Sequence, residues 1–137
     1  QLAEHYQTVW CPEYAREYLK EIQGNYSFAD LLNIAHGQLE LEDVMLTQSR
    51  NGLYFIDTDM YVMKVWCEVA FDQCHTWILK QIAARQYDMY FLCDAGPDGL
   101  DCFRFIRPGA AFIGLFRLCY CGLLCFTFCV WYAFERF

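Results

Sequence analysis

The chain has 137 residues, a formal net charge of −7 at pH 7 and nine cysteines. This length predicts a single domain that can bury a hydrophobic core. The acidic balance, without a cluster of Lys or Arg, excludes a nucleic-acid surface, because phosphate binding needs clustered cations. An odd number of cysteines without regular spacing, and the absence of a signal-peptide pattern, predict no disulfide framework and a cytoplasmic location.

The composition changes abruptly near Asp94. Residues 1–94 contain 14 Asp and Glu against 6 Lys and Arg, whereas residues 95–137 contain 3 against 4. Residues 102–137 also hold eight of the twelve Phe and five of the nine Cys. We therefore divide the chain into a folded region, 1–94, and an apolar tail, 95–137.

Helices are predicted where apolar residues recur at spacings of three and four. They are expected at residues 2–6, 13–23, 28–49, 59–71 and 76–86. Pro12 is well placed to open the second of these helices, and Gly24 to end it. Ser27, with Asp30 three residues later, gives the capping-box signal for the start of the third.

Three short runs predict β-strands, at residues 7–11, 53–56 and 88–93. The last two are continuous apolar runs that end at Asp57 and Asp94, which is typical of strands buried on both faces. Strands that alternate with helices favour an α/β fold with a parallel sheet. Because ligands bind beyond the carboxyl ends of such strands, Glu13, Asp57 and Asp94 are expected to meet at one edge.

The sequence Phe-Ile-Asp-Thr-Asp at residues 55–59 places a carboxylate directly after an apolar strand. In this Walker B arrangement Asp57 can hold Mg²⁺, directly or through water, or accept a proton from a hydroxyl nucleophile. The alternative is an Asp that only caps the following helix.

Glu13 and Arg16 lie three residues apart in the first turn of a helix that follows a strand. Arg16 can bind a phosphate or carboxylate, and Glu13 can bind hydroxyl groups or orient Arg16. The alternative is an ordinary ion pair on the surface of the helix.

Lys64 and Trp66 are a third candidate pair, in the helix that follows Asp59. Lys64 can contact a phosphate, and Trp66 can stack on an aromatic base. The alternative places Trp66 in the core and Lys64 on a solvated face.

Several motifs occur in a recognisable order, namely EYAREYL, IAHGQLELED, LYFIDTD, MKVWCEV and YDMYFLCD. Together they resemble the kinase domain of NadR-type nicotinamide riboside kinases, which is an AAA-type ATPase domain. The resemblance covers residues 2–94 and implies a P-loop NTPase-like three-layer sandwich with a parallel sheet. It also implies transfer of the γ-phosphoryl group of ATP to the ribose 5′-hydroxyl of nicotinamide riboside, in NAD biosynthesis.

The resemblance assigns roles to individual residues. It implies that Asp57 is the Walker B acid and catalytic residue, which holds Mg²⁺. Asp59 lies beside it in the nucleoside crevice, and Glu13 and Arg16 belong to the helix that binds the acceptor nucleoside. The implied cofactors are Mg²⁺ and ATP, and the implied partner is a small-molecule nucleoside.

The chain lacks one part that the family's domain needs. The family's domain opens with a strand and a G-x-x-x-x-G-K-[ST] loop that binds the nucleotide phosphates. No Gly in this chain is followed by Lys. We therefore expect a domain that is incomplete before residue 1, binds no ATP or Mg²⁺ of its own and is catalytically inactive.

The tail differs from the family. Residues 110–134 are an apolar stretch of 25 residues with one charge, Arg117, and are long enough for a transmembrane helix. The alternative is a product of a shifted reading frame after Asp94. The helix-like tail leads to a second functional hypothesis, a non-enzymatic, membrane-tethered α/β binding protein.

Overall fold

The computed structural model describes residues 2–50, 52–93, 103–106 and 130–133. Within these ranges the chain forms helices and strands in an α/β order. They are α1 (Leu2–His5), β1 (Trp10–Cys11), α2 (Tyr14–Glu21), α3 (Phe28–Thr47), β2 (Phe55–Ile56), α4 (Met60–Phe71), α5 (Thr76–Ala84), β3 (Met89–Cys93), β4 (Phe103–Ile106) and β5 (Val130–Ala133). The predicted α/β class is confirmed.

The helix signals at Gly24 and at Ser27 with Asp30 act as predicted, whereas Pro12 lies before α2, which begins at Tyr14 after its N-cap Glu13. Gly24 follows α2 with φ of +76°, a conformation that glycine adopts without strain. In the α3 capping box the Asp30 carboxylate accepts from the backbone N–H of Ser27 at 2.8 Å. The same carboxylate also accepts from the Ser27 hydroxyl at 2.6 Å. These bonds satisfy a donor at the start of the helix, where no intrahelical partner exists.

The helices α2 to α5 form one hydrophobic cluster, centred on α3 and α4. Its buried members are Ala15, Leu31, Ile34, Ala35, Leu39, Met60, Met63, Cys67 and Ile78. On α3 the buried positions recur at intervals of three and four, which is the spacing of one helix face. This cluster is the main core of the described region.

A parallel pair of strands lies beside this core. β1 and β2 are in register with Trp10 opposite Phe55 and Cys11 opposite Ile56, which confirms a parallel sheet. A second hydrophobic cluster surrounds the pair and contains Cys11, Tyr54, Ile56 and Tyr87, with Leu41, Met45 and Leu46 of α3 packed against it. The helix α3 therefore contributes to both clusters.

Both strands are shorter than predicted. Before β1, Gln7 has φ of 53°, so the chain turns where extended backbone was expected. The Thr8 hydroxyl also bonds to the carbonyls of Arg50 and Leu53, which places residues 8 and 53 in a loop contact. As a result, regular pairing is limited to two residues in each strand.

The expectation that residues 88–93 extend the parallel sheet is wrong. β3 pairs antiparallel with β4 on one side and with β5 on the other. The sequence predicts a helix-like tail over residues 95–137 and therefore indicates no partner strand in that part of the chain. Antiparallel pairing needs no helical crossover, and a connection of nine residues is enough to join β3 to β4.

The prediction of a continuous helix over residues 110–134 is wrong at its end. Residues 130–133 form β5, and the backbone of that strand pairs with β3. The other residues of that stretch, 110–129 and 134, lie outside the described residues. None of the helices in the described parts of the chain has the length and apolarity needed to cross a membrane.

Candidate functional site at the ends of the parallel strands

The parallel pairing brings two of the predicted site residues to one edge. Asp57 directly follows β2, and its backbone N–H donates to the carbonyl of Cys11 at 2.9 Å. Glu13 lies two residues beyond Cys11, just before α2. Since both strands run in the same direction, the residues after them emerge together. Asp94, the third acid predicted for this edge, lies outside the described residues.

The electrostatics of Asp57 show that Glu13 and Arg16 are its charged neighbours. Burial raises the pKa of the Asp57 carboxyl, the Glu13 carboxylate raises it further, and the Arg16 guanidinium lowers it. Arg16 donates from Nε to Glu13 at 2.6 Å, and the Arg16 side chain is 63% exposed. The surface ion pair considered as an alternative therefore forms, but it does so beside a buried carboxylate.

Asp59 has a different position. It is fully buried and forms the N-cap of α4, where its Oδ1 atom accepts from the backbone N–H of Val62 at 3.1 Å. The helix cap considered for the Asp-Thr-Asp sequence is thus Asp59, and capping does not account for Asp57. The charge of Asp59 raises the pKa of Glu42, Tyr87 and Tyr90.

Thr58, between the two acids, has an unusual backbone conformation. Its φ is +76° and its side chain is buried. A β-branched residue in this region is strained, because its side chain collides with the backbone. Such strain persists where the surrounding structure holds it, and it is found most often at functional sites.

Sequence reasoning missed Gln38, although its carboxamide lies at this edge. It is 1% exposed and lies on the buried face of α3, between apolar residues. Its Oε1 atom accepts from the backbone N–H of Tyr14 at 2.8 Å, and its Nε2 atom lies 3.3 Å from the carbonyl oxygen of Pro12. A polar residue in the apolar stripe of a helix was the signal that could have identified it.

A second buried polar group on α3, Glu42, was also missed. Its Oε2 atom accepts from Arg85 Nη1 and from the Tyr87 hydroxyl, each at 3.0 Å, and Oε1 has no hydrogen-bond partner among the described residues. Burial raises the pKa of Glu42 to about 8, against the influence of Arg85 and Tyr87. Burial therefore favours the protonated form of this carboxyl group, whereas its contacts with Arg85 and Tyr87 favour the carboxylate.

Lys64 and Trp66 follow the alternative interpretation, in which Trp66 packs in the core and Lys64 lies on a solvated face. Lys64 forms an ion pair with Glu68 one turn further along α4, at 2.6 Å. Trp66 is part of the helical cluster, and its indole N–H donates to the Tyr26 hydroxyl at 3.1 Å. Neither residue needs a ligand to account for its position.

The donors around Asp57 fit a magnesium ion. In the described ranges, no group of three His, Cys, Asp or Glu side chains is placed to hold a metal alone. Mg²⁺ does not require such a group, because it keeps several waters and binds one or two carboxylates together with substrate phosphates. Asp57 and Glu13 offer two carboxylates. Burial is the main cause of the raised pKa of Asp57, and a cation would offset the further rise caused by Glu13.

Comparison with known proteins identifies the family. A family model described as an AAA domain matches residues 1–105 of the 137. The chain belongs to this AAA domain family. The family consists of nucleotide-binding P-loop NTPases, and the match extends beyond Asp94, where the composition changes. Among curated proteins, none matches this AAA domain significantly.

Proposed function

We propose that this AAA domain carries the acceptor and magnesium side of a nicotinamide riboside kinase site. The reaction is transfer of the γ-phosphoryl group of ATP to the ribose 5′-hydroxyl. One observation carries the proposal: Asp57 follows a strand that pairs in parallel with the strand before Glu13 and Arg16. Membership of a nucleotide-binding family and the ordered motifs of residues 2–94 support it.

Asp57 is the residue that acts on the acceptor hydroxyl. Burial and the neighbouring Glu13 make it a stronger base than an exposed aspartate. It can therefore accept a hydrogen bond, and then the proton, from the 5′-hydroxyl as that oxygen attacks phosphorus. A magnesium ion held by Asp57, with Glu13 nearby, would supply positive charge for the phosphoryl oxygens.

Glu13 and Arg16 bind the nucleoside. A carboxylate accepts hydrogen bonds from ribose hydroxyl groups, and the pair keeps Arg16 oriented through the 2.6 Å contact between Arg16 Nε and Glu13 Oε2. Arg16 is largely exposed, so a ligand can reach its guanidinium. Asp59 stabilises this site indirectly, because as the N-cap of α4 it fixes the chain that follows Asp57.

The 137 residues by themselves contain no G-x-x-x-x-G-K-[ST] motif. Phosphoryl transfer depends on positioning and on charge stabilisation, and that motif supplies most of both for the nucleotide. We therefore expect no nicotinamide mononucleotide when this chain is incubated with ATP, Mg²⁺ and nicotinamide riboside. Sustained, ATP-dependent formation of that product would contradict the assignment of the phosphate site.

A binding experiment tests the magnesium side directly. The sequence alone predicts no bound Mg²⁺ because the phosphate-binding loop is absent, whereas the two acids at the strand ends lead us to propose a weak site. In ¹⁵N-labelled protein titrated with MgCl₂, we expect amide shifts concentrated at residues 13–16 and 57–59, and their loss in Asp57→Asn. Asp72→Asn, which changes an exposed acid at the end of α4, is the matched control and should retain them. Shifts of equal size in Asp57→Asn and wild type would refute a magnesium site at Asp57.

A further inference from the structure

The carboxamide of Gln38 joins three chain segments that meet at the strand ends. Its Oε1 atom accepts from Tyr14 N–H at 2.8 Å. Its Nε2 atom lies 3.3 Å from the Pro12 carbonyl oxygen, 3.5 Å from that of Asp57 and 3.4 Å from Cys11 Sγ. One side chain from α3 therefore contacts the residue after β2 and the segment that connects β1 to α2.

Two of these backbone groups lie outside the sheet. Pro12 follows the last paired residue of β1, whereas Asp57 still takes part in a β-bridge and donates its N–H to the Cys11 carbonyl. Tyr14 is the first residue of α2, and its N–H has no acceptor within its own helix. A buried amide that offers two donor hydrogens and one acceptor oxygen matches this set of backbone groups.

The neighbouring residue, Gly37, allows the close approach that these bonds require. The Tyr14 ring packs directly over Gly37, and a Cβ atom at residue 37 would overlap the ring. The first turn of α2 is therefore held against α3 by contact at Gly37 and by hydrogen bonding at Gln38. Glu13 and Arg16 lie in that same turn.

We propose that Gln38 is a positioning residue for the phosphoryl-transfer site. It fixes the start of α2 relative to the end of β2, so that Glu13 and Arg16 face Asp57. The phosphoryl-transfer role of the site rests on the proposed function. The positioning of α2 by Gln38 rests only on the hydrogen bonds of its carboxamide. The bond from Asp57 N–H to the Cys11 carbonyl and the packing of Tyr14 on Gly37 also hold these ends, and Gln38 adds the hydrogen bonds that link Tyr14 and Pro12 to α3.

Site-resolved hydrogen exchange in native protein tests this positioning. In Gln38→Met, which has a similar volume but no hydrogen-bonding amide, the amides of Tyr14 and Asp57 should exchange on the order of tenfold faster. The amides of Phe55 and Met63, at the other end of β2 and in α4, should change much less. A uniform increase at all four amides would show that Gln38 serves only general stability, and would overturn the proposal.

Ile34→Val is the matched control. Ile34 is buried on the same face of α3, but it belongs to the helical cluster. This variant should accelerate exchange evenly across the core and leave the magnesium-induced shift at Asp57 unchanged. Gln38→Met should reduce that shift. A magnesium shift that is the same in Gln38→Met and wild type would contradict a positioning role.

A second test uses the wild-type protein alone. It tests the positioning role of Gln38 even if Gln38→Met does not fold. A scalar coupling across the hydrogen bond from Tyr14 N–H to the Gln38 carboxamide carbon should be detectable, with a slowly exchanging Tyr14 amide. A rapidly exchanging Tyr14 amide without that coupling would refute the proposal. If magnesium causes no shift in wild type but these signals are present, the proposed function fails and the geometric positioning stands.

Discussion

At the scale of single residues, the carboxyl group of Glu42 carries a desolvation cost that a surface acid does not have. Its carboxyl group is fully buried in α3, and the acids Asp59 and Asp43 add to the effect of burial on its pKa. Arg85 and the Tyr87 hydroxyl oppose that effect through Oε2. The result is a raised pKa, of about 8 in place of the ordinary 4.5.

We predict that Glu42→Gln removes a pH dependence of stability. The folded chain keeps the Glu42 proton where the unfolded chain has lost it, so this contribution is complete below pH 4.5 and is lost as pH rises to about 8. The free energy of unfolding of wild type should therefore fall, relative to Glu42→Gln, by up to ~1.4 kcal/mol per pH unit in that range. Urea denaturation at a series of pH values measures this difference.

Glu40→Gln is the control for this experiment, since Glu40 is an exposed acid on the same helix. It should keep the pH dependence of wild type. An unchanged slope in Glu42→Gln would show that Glu42 is ionised in the folded protein near neutral pH.

At the scale of helices and strands, the contact between α2 and α3 decides where the site lies. The two helices meet at Gly37, where the Tyr14 ring occupies the space of a side chain. The parallel strands are too short to define this arrangement alone, because each contributes only two paired residues. Helix packing therefore sets the position of Glu13 and Arg16.

We predict that Gly37→Ala destabilises the protein. Alanine favours a helix over glycine by about 1 kcal/mol, but overlap with the Tyr14 ring should cost about 1–3 kcal/mol, so that the net loss should reach up to about 2 kcal/mol. Thermal or urea denaturation measures the loss. Glu40→Ala, at an exposed position of the same helix, should stay within about 0.5 kcal/mol of wild type. Stabilisation by Gly37→Ala would show that the ring is displaced without cost.

At the scale of the whole molecule, α3 connects the two hydrophobic clusters of the described region. Its Leu31, Ile34 and Leu39 belong to the helical cluster, while Leu41 and Met45 pack against the cluster around the parallel strands. Unfolding of either cluster exposes buried side chains of α3. This shared helix makes cooperative unfolding of the two clusters the expected behaviour.

We predict that Met63→Ala lowers the stability of both clusters together. Met63 is fully buried in α4, and its truncation should cost about 2–5 kcal/mol. Hydrogen exchange of amides in α4 and of Asp57 next to β2 should then accelerate by the same factor. Val69→Ala, which changes an exposed residue of α4, should affect neither. Faster exchange confined to α4 would show that the clusters unfold independently.

The sequence by itself determined the helices and the chemistry of the strand ends. Ser27 with Asp30, Pro12 and Gly24 mark helix boundaries through local bonds and backbone preferences, so they act whatever the rest of the chain does. The position of Asp57 directly after an apolar run is likewise a property of the local sequence. The parallel direction of β1 and β2 followed from the alternation of strands and helices, and placed Glu13 and Asp57 at one edge.

Only the tertiary structure decided which groups these residues meet. The antiparallel partners of β3 lie further along the chain, and nothing within residues 88–93 indicates them. The same holds for Asp59, which caps α4, and for Gln38, whose hydrogen-bond partners lie 24 and 26 residues away. Periodicity assigns a side chain to the buried face of a helix, but only the packing of distant segments determines what it contacts there.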